Sequence, residues 1–286
     1  MYKQYPEDVL RNLQLVETDL LKEFVRICDK HDLDYFLTGG TAIGAIRHKG
    51  FIPWDDDIDV GLLRDDYEKF LEVAPSEIKE PYEVVNARTN PHFPACNSNL
   101  SKKDSLHIPE EFKNCKYQYA IGIGIFPYDN VPEDAALRKK QIRKAWFWSK
   151  LRFLRATPSP HLPIKGIGAA VAKAACAVIH YAMVVCRISN RWLYRQYEKA
   201  AMKYHNQTNL YTDMSDTKPE IWRVTKEDIF PVQYAEFEQI KVKIMNHNHE
   251  MLTNGFGDYM QLPPVEDRKN HYPSTLEFGK IENDEK

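Results

Sequence analysis

Residues 35–61 decide the fold and read YFLTGGTAIGAIRHKGFIPWDDDIDVG. The order of residue types predicts a short apolar strand over Tyr35–Leu37, a glycine pair, a short helix over Thr41–His48 and an acidic segment. That segment alternates charged and apolar residues over positions 57–60 (DIDV). Because successive side chains of a strand point to opposite faces, the two aspartates would share one face while the isoleucine and the valine enter the core.

Two carboxylates aimed at one place predict a divalent metal site. Asp57 and Asp59 offer hard oxygen ligands, and Mg²⁺ commonly takes one or two protein carboxylates together with substrate phosphates. Mn²⁺ accepts ligands of the same kind. Upstream, Gly39 and Gly40 leave backbone that a phosphate can approach closely. The glycine pair, the helix and the acidic strand together predict a metal–phosphate site rather than a solvated acidic loop.

These residues resemble the signature of the LicD family, which includes fukutin and the fukutin-related protein and is similar in fold to the nucleotidyltransferase superfamily. Two further blocks carry the likeness. Residues 125–132 (IFPYDNVP) resemble the family's IFPLDGVP block. Residues 237–238 (FE), 256–260 (FGDYM) and 262–264 (LPP) resemble its C-terminal block. The resemblance covers about residues 10–135 and 205–272 and leaves the middle of the chain unmatched.

The expected architecture is an α/β fold, with a nucleotidyltransferase-like mixed sheet, flanking helices and a helical insertion. We expect a catalytic core over residues 1–135, a basic helical insertion over 136–205, and a C-terminal part over 206–286 that completes the core and ends in a polar tail.

Hydrophobic periodicity predicts further elements outside the signature. An amphipathic helix is expected within residues 9–30, and another over Asp65–Ala74 that Pro75 would end. The expected strands are Tyr82–Val85, Ala120–Phe126, Leu210–Thr212 and Glu238–Ile244.

The resemblance implies an enzyme that moves a phospho-alcohol from a CDP-alcohol to a hydroxyl of a cell-surface glycan precursor, releasing CMP. CDP-choline is the favoured donor, and a glycan or lipid-linked glycan is the acceptor. Asp57 and Asp59 would act as catalytic residues and hold Mg²⁺ across the pyrophosphate. Phosphoryl transfer needs little covalent work from the protein, since metal ions and cations neutralise charge while the acceptor is aligned.

Five residues near the glycine pair are candidates for binding the phosphates of the nucleotide. Backbone N–H groups around Gly39, Gly40 and Thr41 lie near a predicted helix start, which favours anions. Arg47 can pair with a phosphate through two parallel hydrogen bonds, and His48 lies beside it.

One departure from the family pattern concerns a third carboxylate. The family's block usually reads IDIFP, whereas residues 123–127 here read IGIFP, so Gly124 occupies the place of that aspartate. Asp129, a catalytic candidate, or Asp55 would then have to substitute for it. Two alternatives therefore stay open: a catalytically impaired regulator or scaffold, and a nucleotidyltransferase that acts on a small acceptor.

Recognition of choline calls for aromatic faces around the quaternary ammonium. Trp54, Tyr128 and Tyr259 lie in or beside the matched motifs and are the candidates for such a cage. His247 and His249 have a spacing of two residues, and we interpret them as loop histidines rather than metal ligands.

The charge of the chain is unevenly distributed although its net value is only −2. The segment from Arg138 to Tyr197 contains thirteen Lys or Arg residues and no Asp or Glu. A basic, aromatic-rich helical segment predicts peripheral contact with an anionic membrane surface through residues 138–195. The alternative is a helical hairpin packed on the core with a solvated basic face. No recognised nucleic-acid-binding motif is present, so a nucleic-acid partner is not expected.

The expected location is the cytoplasm, at the inner face of the plasma membrane. Residues 1–17 lack the apolar core of a signal peptide. The five cysteines show no C-x-x-C spacing, which fits reduced thiols in a cytosolic protein.

Overall fold

A mixed β-sheet organises residues 3–161 and 166–279, the part of the chain that this computed structural model describes. The helices, in chain order, are α1 (Glu7–Lys30), α2 (Gly39–His48), α3 (Arg64–Glu77), α4 (Ala135–Ala156), α5 (Ile167–Val185), α6 (Asn190–Ala201), α7 (Lys226–Ile229) and α8 (Asn248–Phe256). The strands are β1 (Tyr35–Leu37), β2 (Asp59–Leu63), β3 (Tyr82–Asn86), β4 (Ser98–Lys102), β5 (Leu106–Ile108), β6 (Gly122–Asn130), β7 (Leu210–Asp213), β8 (Val224–Thr225), β9 (Gln233–Phe237), β10 (Ile240–Ile244) and β11 (Thr275–Glu277).

The main sheet runs in the order β1-β2-β6-β4-β3, and β7 pairs with the far end of β6 and carries β8. Only the β2–β6 pair in this sheet is parallel among the described residues, with Asp59 opposite Gly124. On the other side of β6, Tyr128 lies opposite Asp213 in antiparallel register. The predicted α/β class with a mixed sheet and flanking helices is confirmed.

The core lies between this sheet and the two helices α1 and α3, which contact each other and the strands. Ile58 and Val60 are fully buried, as the alternation around the two aspartates predicted. The predicted end of α3 at Pro75 is wrong, since the helix continues to Glu77 with the proline in its last turn. Because Pro75 lies in the last turn, its missing N–H group removes one backbone hydrogen bond, and the helix ends two residues later.

The C-terminal elements pack around the start of the signature. β9 and β10 form a hairpin, β10 contacts β1, and β9 and α8 contact α2. The strand predicted over Glu238–Ile244 begins at Ile240 because Glu238 and Gln239 have φ angles of 48° and 65° and form the turn of the hairpin. The C-terminal elements β9 and α8 therefore cover α2.

The inserted helices differ in how they are attached. α4 and α6 pack against each other, and Gln141 Nε2 donates hydrogen bonds to the backbone oxygens of Asn130 (3.1 Å) and Ala201 (2.7 Å). Tyr194 and Tyr197 complete a second buried cluster there. Three prolines within residues 157–163 predict a break in the helical segment. α4 ends at Ala156 and residues 157–161 are not helical, whereas residues 162–165 lie outside the described part.

Helix α5 lies on the outside of this pair. His180 and Met183 are its buried residues, and the rest of the helix is exposed or half-buried. Within the described ranges it is the helix whose length and composition would allow it to cross a membrane. Much of its apolar surface is therefore left uncovered by residues 3–161 and 166–279.

Candidate active site

An open cavity of about 1000 Å³ lies beside the N-terminus of α2 and the beginning of β2. Its walls come from the signature segment, from β6 and β7, from the loop after β7, and from the C-terminal segment. The lining side chains that bear on the chemistry are Asp55, Asp57, Asp59, Asp213, Asp216, Asp258, Asp267, Arg47, Lys269, His271, Trp54, Phe126, Tyr128, Trp222, Phe256 and Tyr259.

The structure brings Asp57 and Asp59 into this cavity together. Asp55, Asp57 and His271 form a group whose possible metal-ligating atoms all lie within 4.8 Å of one another. The Oδ2 atom of Asp57 is 3.2 Å from Nδ1 of His271. No sequence pattern predicted His271, which lies more than 200 positions after Asp57 and outside every predicted element.

The electrostatics of the group favour a divalent cation. Burial raises the pKa of Asp55 and Asp59 well above the ordinary value, and the charge of Asp57 adds to this. Desolvation also raises the pKa of Asp57 itself. Carboxylates confined in this way repel one another unless a cation offsets their charge. Two or three carboxylates with one imidazole fit Mg²⁺, and fit Mn²⁺ better where the imidazole is a ligand.

Asp56, the second aspartate of the run, has a different role from its neighbours. It is fully buried; its Oδ2 accepts a hydrogen bond from the Tyr5 hydroxyl (2.6 Å) and its Oδ1 accepts one from the backbone N–H of His271 (2.8 Å). The hydrogen bond with Asp56 and the charge of Asp57 raise the pKa of His271 to about 10. Asp56 therefore fastens the C-terminal segment beside the acidic group.

The glycine pair forms the first turn of α2, which begins two residues earlier than predicted. Gly39 adopts a left-handed conformation (φ 57°), and a Cβ atom on Gly40 would lie 2.7 Å from Oδ2 of Asp55. Both glycines line the cavity, so the backbone at this helix start is accessible to an anion. Thr41 is buried, and its Oγ1 accepts a hydrogen bond from the backbone N–H of Asp59 (2.8 Å), so it positions the carboxylate.

Arg47 and His48 end α2 and behave differently from the prediction. Arg47 lines the cavity, but its guanidinium donates to the backbone oxygens of Tyr259 and Gln261. His48 is not among the lining residues, and its Nε2 accepts a hydrogen bond from Nε of Arg47 (2.9 Å). The pair thus connects α2 to the C-terminal segment.

The structure does not bring Asp129 into the cavity. Its two oxygens accept hydrogen bonds from Nε (2.8 Å) and Nη2 (2.6 Å) of Arg64, and both side chains are buried. Because side chains alternate along β6, Gly124, Phe126 and Tyr128 share one face and Asp129 has the opposite one. Asp129 and Arg64 therefore form a buried structural ion pair on the face opposite Gly124.

Asp213 supplies a carboxylate that the sequence analysis missed. It is the last residue of β7, lines the cavity, and contributes to the raised pKa of Asp59. Burial raises the pKa of Asp213 itself to about 7. The available signal was an acidic residue directly after the predicted strand Leu210–Thr212.

Gly124 lets Asp59 approach β6 closely. A Cβ atom at this position would lie 2.5 Å from Oδ1 of Asp59 and 2.5 Å from Cε2 of Phe126. The space that a longer side chain would take is therefore filled by the carboxylate of the neighbouring strand.

The three aromatic residues expected around choline all line the cavity, but each of them already contacts another side chain of the protein. The guanidinium of Arg268 lies 4.4 Å from the ring centroid of Trp54. Tyr128 is buried, with its hydroxyl 3.1 Å from Oγ1 of Thr38. The hydroxyl of Tyr259 lies 3.0 Å from Nδ1 of His249.

The two histidines with spacing two are not in the metal-ligating group found among the described residues. His247 Nδ1 lies 2.9 Å from Oδ1 of Asp228 and precedes the first turn of α8. His249 lies in that helix and not in the predicted loop.

Comparison with known proteins gives three similar chains and one family. A family described as LicD/FKTN/FKRP, nucleotidyltransferase domain, matches residues 32–150. The lipopolysaccharide cholinephosphotransferase LicD of Haemophilus influenzae is 31% identical over 283 residues, which cover 92% of this chain and 96% of that protein. Uncharacterized proteins of Rickettsia typhi and Rickettsia prowazekii are 38% and 32% identical over 56 and 89 residues, covering 20% and 31% of this chain and 18% and 30% of their own lengths.

Proposed function

The chain belongs to the LicD family, and on that premise we propose that it transfers phosphocholine from CDP-choline to a hydroxyl of a cell-surface glycan precursor and releases CMP. The Haemophilus relative is named for the same transfer onto lipopolysaccharide. The observation that carries the proposal is the convergence of Asp55, Asp57 and Asp59 in one open cavity beside the exposed glycine turn of α2.

The metal that suits this reaction is Mg²⁺ or Mn²⁺. Asp57 and Asp59 would hold it: Asp57 has possible ligand atoms of Asp55 and His271 within 4.8 Å, and Asp59 lines the same cavity. When bound, such an ion neutralises negative charge on the pyrophosphate of the donor. Thr41 holds the backbone N–H of Asp59 and so orients that carboxylate.

The protein itself binds and aligns the reactants. The first backbone N–H groups of α2, at Gly39 and Gly40, bind oxygens of the donor phosphates. The acceptor hydroxyl oxygen forms a bond to the choline-bearing phosphorus while the bond to CMP breaks. Asp213 takes the hydroxyl proton, because a carboxylate with a pKa of about 7 is suited to general base catalysis near neutral pH.

Release of CMP tests the proposal. Purified protein is incubated with CDP-choline, an acceptor glycan and Mg²⁺, and the variants Asp57→Ala and Asp59→Ala are compared with Asp19→Ala, an exposed aspartate outside the cavity. We expect turnover to fall by at least about 100-fold in the first two variants and to stay unchanged in the control. Equal turnover in all of them would exclude the proposed site. A nucleotide attached to the acceptor would indicate nucleotidyl transfer instead, and an inactive native protein would indicate the impaired regulator.

We also propose that the protein works at the inner face of the plasma membrane, where lipid-linked glycan precursors are available. The support is the outer surface of the inserted helices, where the exposed basic residues are Lys139, Lys140, Arg143, Lys144, Lys150, Lys173, Arg187, Arg191 and Arg195. On α5, Val171 and Val178 are 64% and 68% exposed. Basic side chains next to an apolar helix surface suit anionic headgroups with shallow insertion.

Vesicle sedimentation tests this contact. The variant with Lys139, Lys140, Arg143 and Lys144 changed to glutamine should bind phosphatidylglycerol vesicles at least about 100-fold more weakly, since each basic residue near the surface contributes about 1 kcal/mol. A matched control removes four lysines from other surfaces (Lys22, Lys69, Lys103 and Lys113) and should bind as the native protein does. Equal losses in both variants would show only a net-charge effect and contradict a defined surface.

A further inference from the structure

Two aromatic rings on the cavity wall have no role in the mechanism above. Trp222 lies in the loop after β7, and Phe256 is the last residue of α8; both line the cavity. Their ring centroids are 5.3 Å apart and their planes meet at 55°. Phe256 is 47% exposed, although a ring of this size normally gains from burial. The pair thus presents an angled aromatic surface to the cavity.

Gly255 shows that this corner is built for Trp222. A Cβ atom at Gly255 would lie 2.1 Å from Cη2 and 2.3 Å from Cζ3 of the indole, so no residue with a side chain permits this placement. Glycine inside a helix costs about 1 kcal/mol relative to alanine. In α8 the absence of a side chain at Gly255 lets the indole of Trp222 pack directly on the helix backbone. Trp222 is partly buried against the main core, which restrains the ring while it still lines the cavity.

The other aromatic residues expected to recognise choline are less available. The guanidinium of Arg268 already lies over Trp54, and Tyr128 and Tyr259 are 2% and 6% exposed with bonded hydroxyls. Trp222 and Phe256 contact each other, and both side chains line the cavity.

The charge of the cavity selects for a cation. Among the described residues, seven aspartates line it, against the permanent cations of Arg47 and Lys269 and the imidazole of His271. Asp216, six positions before Trp222, and Asp258, two after Phe256, also line the cavity and add negative charge to it. Aromatic faces beside carboxylates attract a positively charged group.

We propose that Trp222 and Phe256 form the binding site for the quaternary ammonium of the donor and so select choline over other alcohols; this inference rests on the proposed function. A trimethylammonium group cannot donate hydrogen bonds, so aromatic faces and nearby negative charge provide its recognition. The primary ammonium of ethanolamine holds its water more strongly and gains less from the same corner. Uncharged glycerol or ribitol gains nothing from the cation–π contact.

Binding of two donors in the absence of an acceptor glycan, so that no transfer can occur, tests the proposal. Titration calorimetry with Mg²⁺ measures the affinities of CDP-choline and CDP-ethanolamine for the native chain and for the variants Trp222→Ala, Phe256→Ala and Trp222→Phe. We expect the preference for CDP-choline to fall about tenfold in either alanine variant and to be largely retained in Trp222→Phe. Tyr234→Ala, which removes an exposed ring outside the cavity, should keep the native preference.

The outcomes separate the inference from its premise. A native protein that binds neither CDP-alcohol would contradict the proposed function itself. A native preference for CDP-choline that survives in both alanine variants would overturn the aromatic site alone. An equal loss for both donors would also overturn it, because the rings would then stack on the shared cytosine. Circular dichroism and the melting temperature of each variant identify loss of folding, and Gly255→Ala, which displaces the indole without removing it, should reproduce the loss of preference.

Discussion

At the residue scale, the carboxylate of Asp59 occupies the space that Gly124 leaves free by having no side chain. The family's aspartate is absent there, yet the space beside the Cα atom holds the carboxylate of Asp59. We predict that Gly124→Ala lowers the rate of CMP release at least about tenfold, because the new methyl group displaces that carboxylate. Gly168→Ala is the matched control, since nothing lies within 4 Å of its Cβ position. An active Gly124→Ala enzyme would show that Asp59 tolerates movement.

Asp213 gives a prediction about pH. Its pKa of about 7 in the folded protein lies above the ordinary value of 3.8, so the folded state binds the proton more tightly than the unfolded chain does. Stability from this group is therefore present at low pH and is lost as the pH rises from about 4 through 7. Asp213→Asn should raise the free energy of unfolding at pH 8 by on the order of 2–4 kcal/mol, and by much less at pH 4.

Urea unfolding in the presence of EDTA at the two pH values measures this difference. EDTA is needed because a bound metal ion would itself favour the charged carboxylate. The same variant should lose CMP release, since asparagine cannot accept the proton. A gain in stability that is equal at pH 4 and pH 8 would contradict the titration of Asp213.

Asp129 and Arg64 give a prediction about stability alone. Both are buried and joined by two hydrogen bonds, so removing Asp129 leaves the buried charge of Arg64 with only Glu68, whose Oε1 lies 3.2 Å from Nη1, as a partner. We expect Asp129→Ala to lower the free energy of unfolding by about 3–5 kcal/mol. The double variant Arg64→Met/Asp129→Leu should be more stable than either single variant. The fraction of Asp129→Ala that stays folded should release CMP at the native rate. A large loss of turnover in that fraction would show that Asp129 is a catalytic residue.

At the scale of elements, the C-terminal segment is held against the signature from two sides. Arg47 at the end of α2 binds the backbone oxygens of Tyr259 and Gln261, and Asp56 binds the backbone N–H of His271. The cavity wall therefore depends on contacts between parts of the chain about 200 positions apart.

We predict that Asp56→Ala releases this segment. Loss of the hydrogen bonds to Tyr5 and His271 should increase amide hydrogen exchange over residues 268–274 at least about tenfold. The Michaelis constant for the donor should rise, because the wall is less ordered. Asp19→Ala, an exposed aspartate outside the cavity, is the control. Unchanged exchange over residues 268–274 would show that other contacts hold the segment.

At the scale of the whole molecule, charge is separated between a cavity rich in aspartate and an outer surface rich in lysine and arginine. In the membrane contact proposed above, this separation would present the basic helices to anionic lipid while the cavity stays attractive to cations. We expect the acidic cavity to make the stability of the protein depend on metal ions, because close carboxylates repel one another.

We predict that Mg²⁺ and Mn²⁺ raise the melting temperature, since an ion that binds only the folded state stabilises it. Differential scanning fluorimetry after EDTA treatment should show the rise in the native protein and its loss in Asp57→Ala. Asp19→Ala should respond as the native protein does. An increase that persists in Asp57→Ala would place the metal elsewhere.

The sequence by itself determined the local structure of the signature and the family. The strand, the glycine turn, α2 and the burial of Ile58 and Val60 follow from preferences of neighbouring residues, which act over a few positions. Only the tertiary structure decided which distant residues complete the site. Strand pairing carried Asp213 to the cavity and turned Asp129 to Arg64, and a hydrogen bond from Asp56 placed His271 beside Asp57. Such meetings depend on register and packing between segments far apart in the chain, which local patterns do not encode.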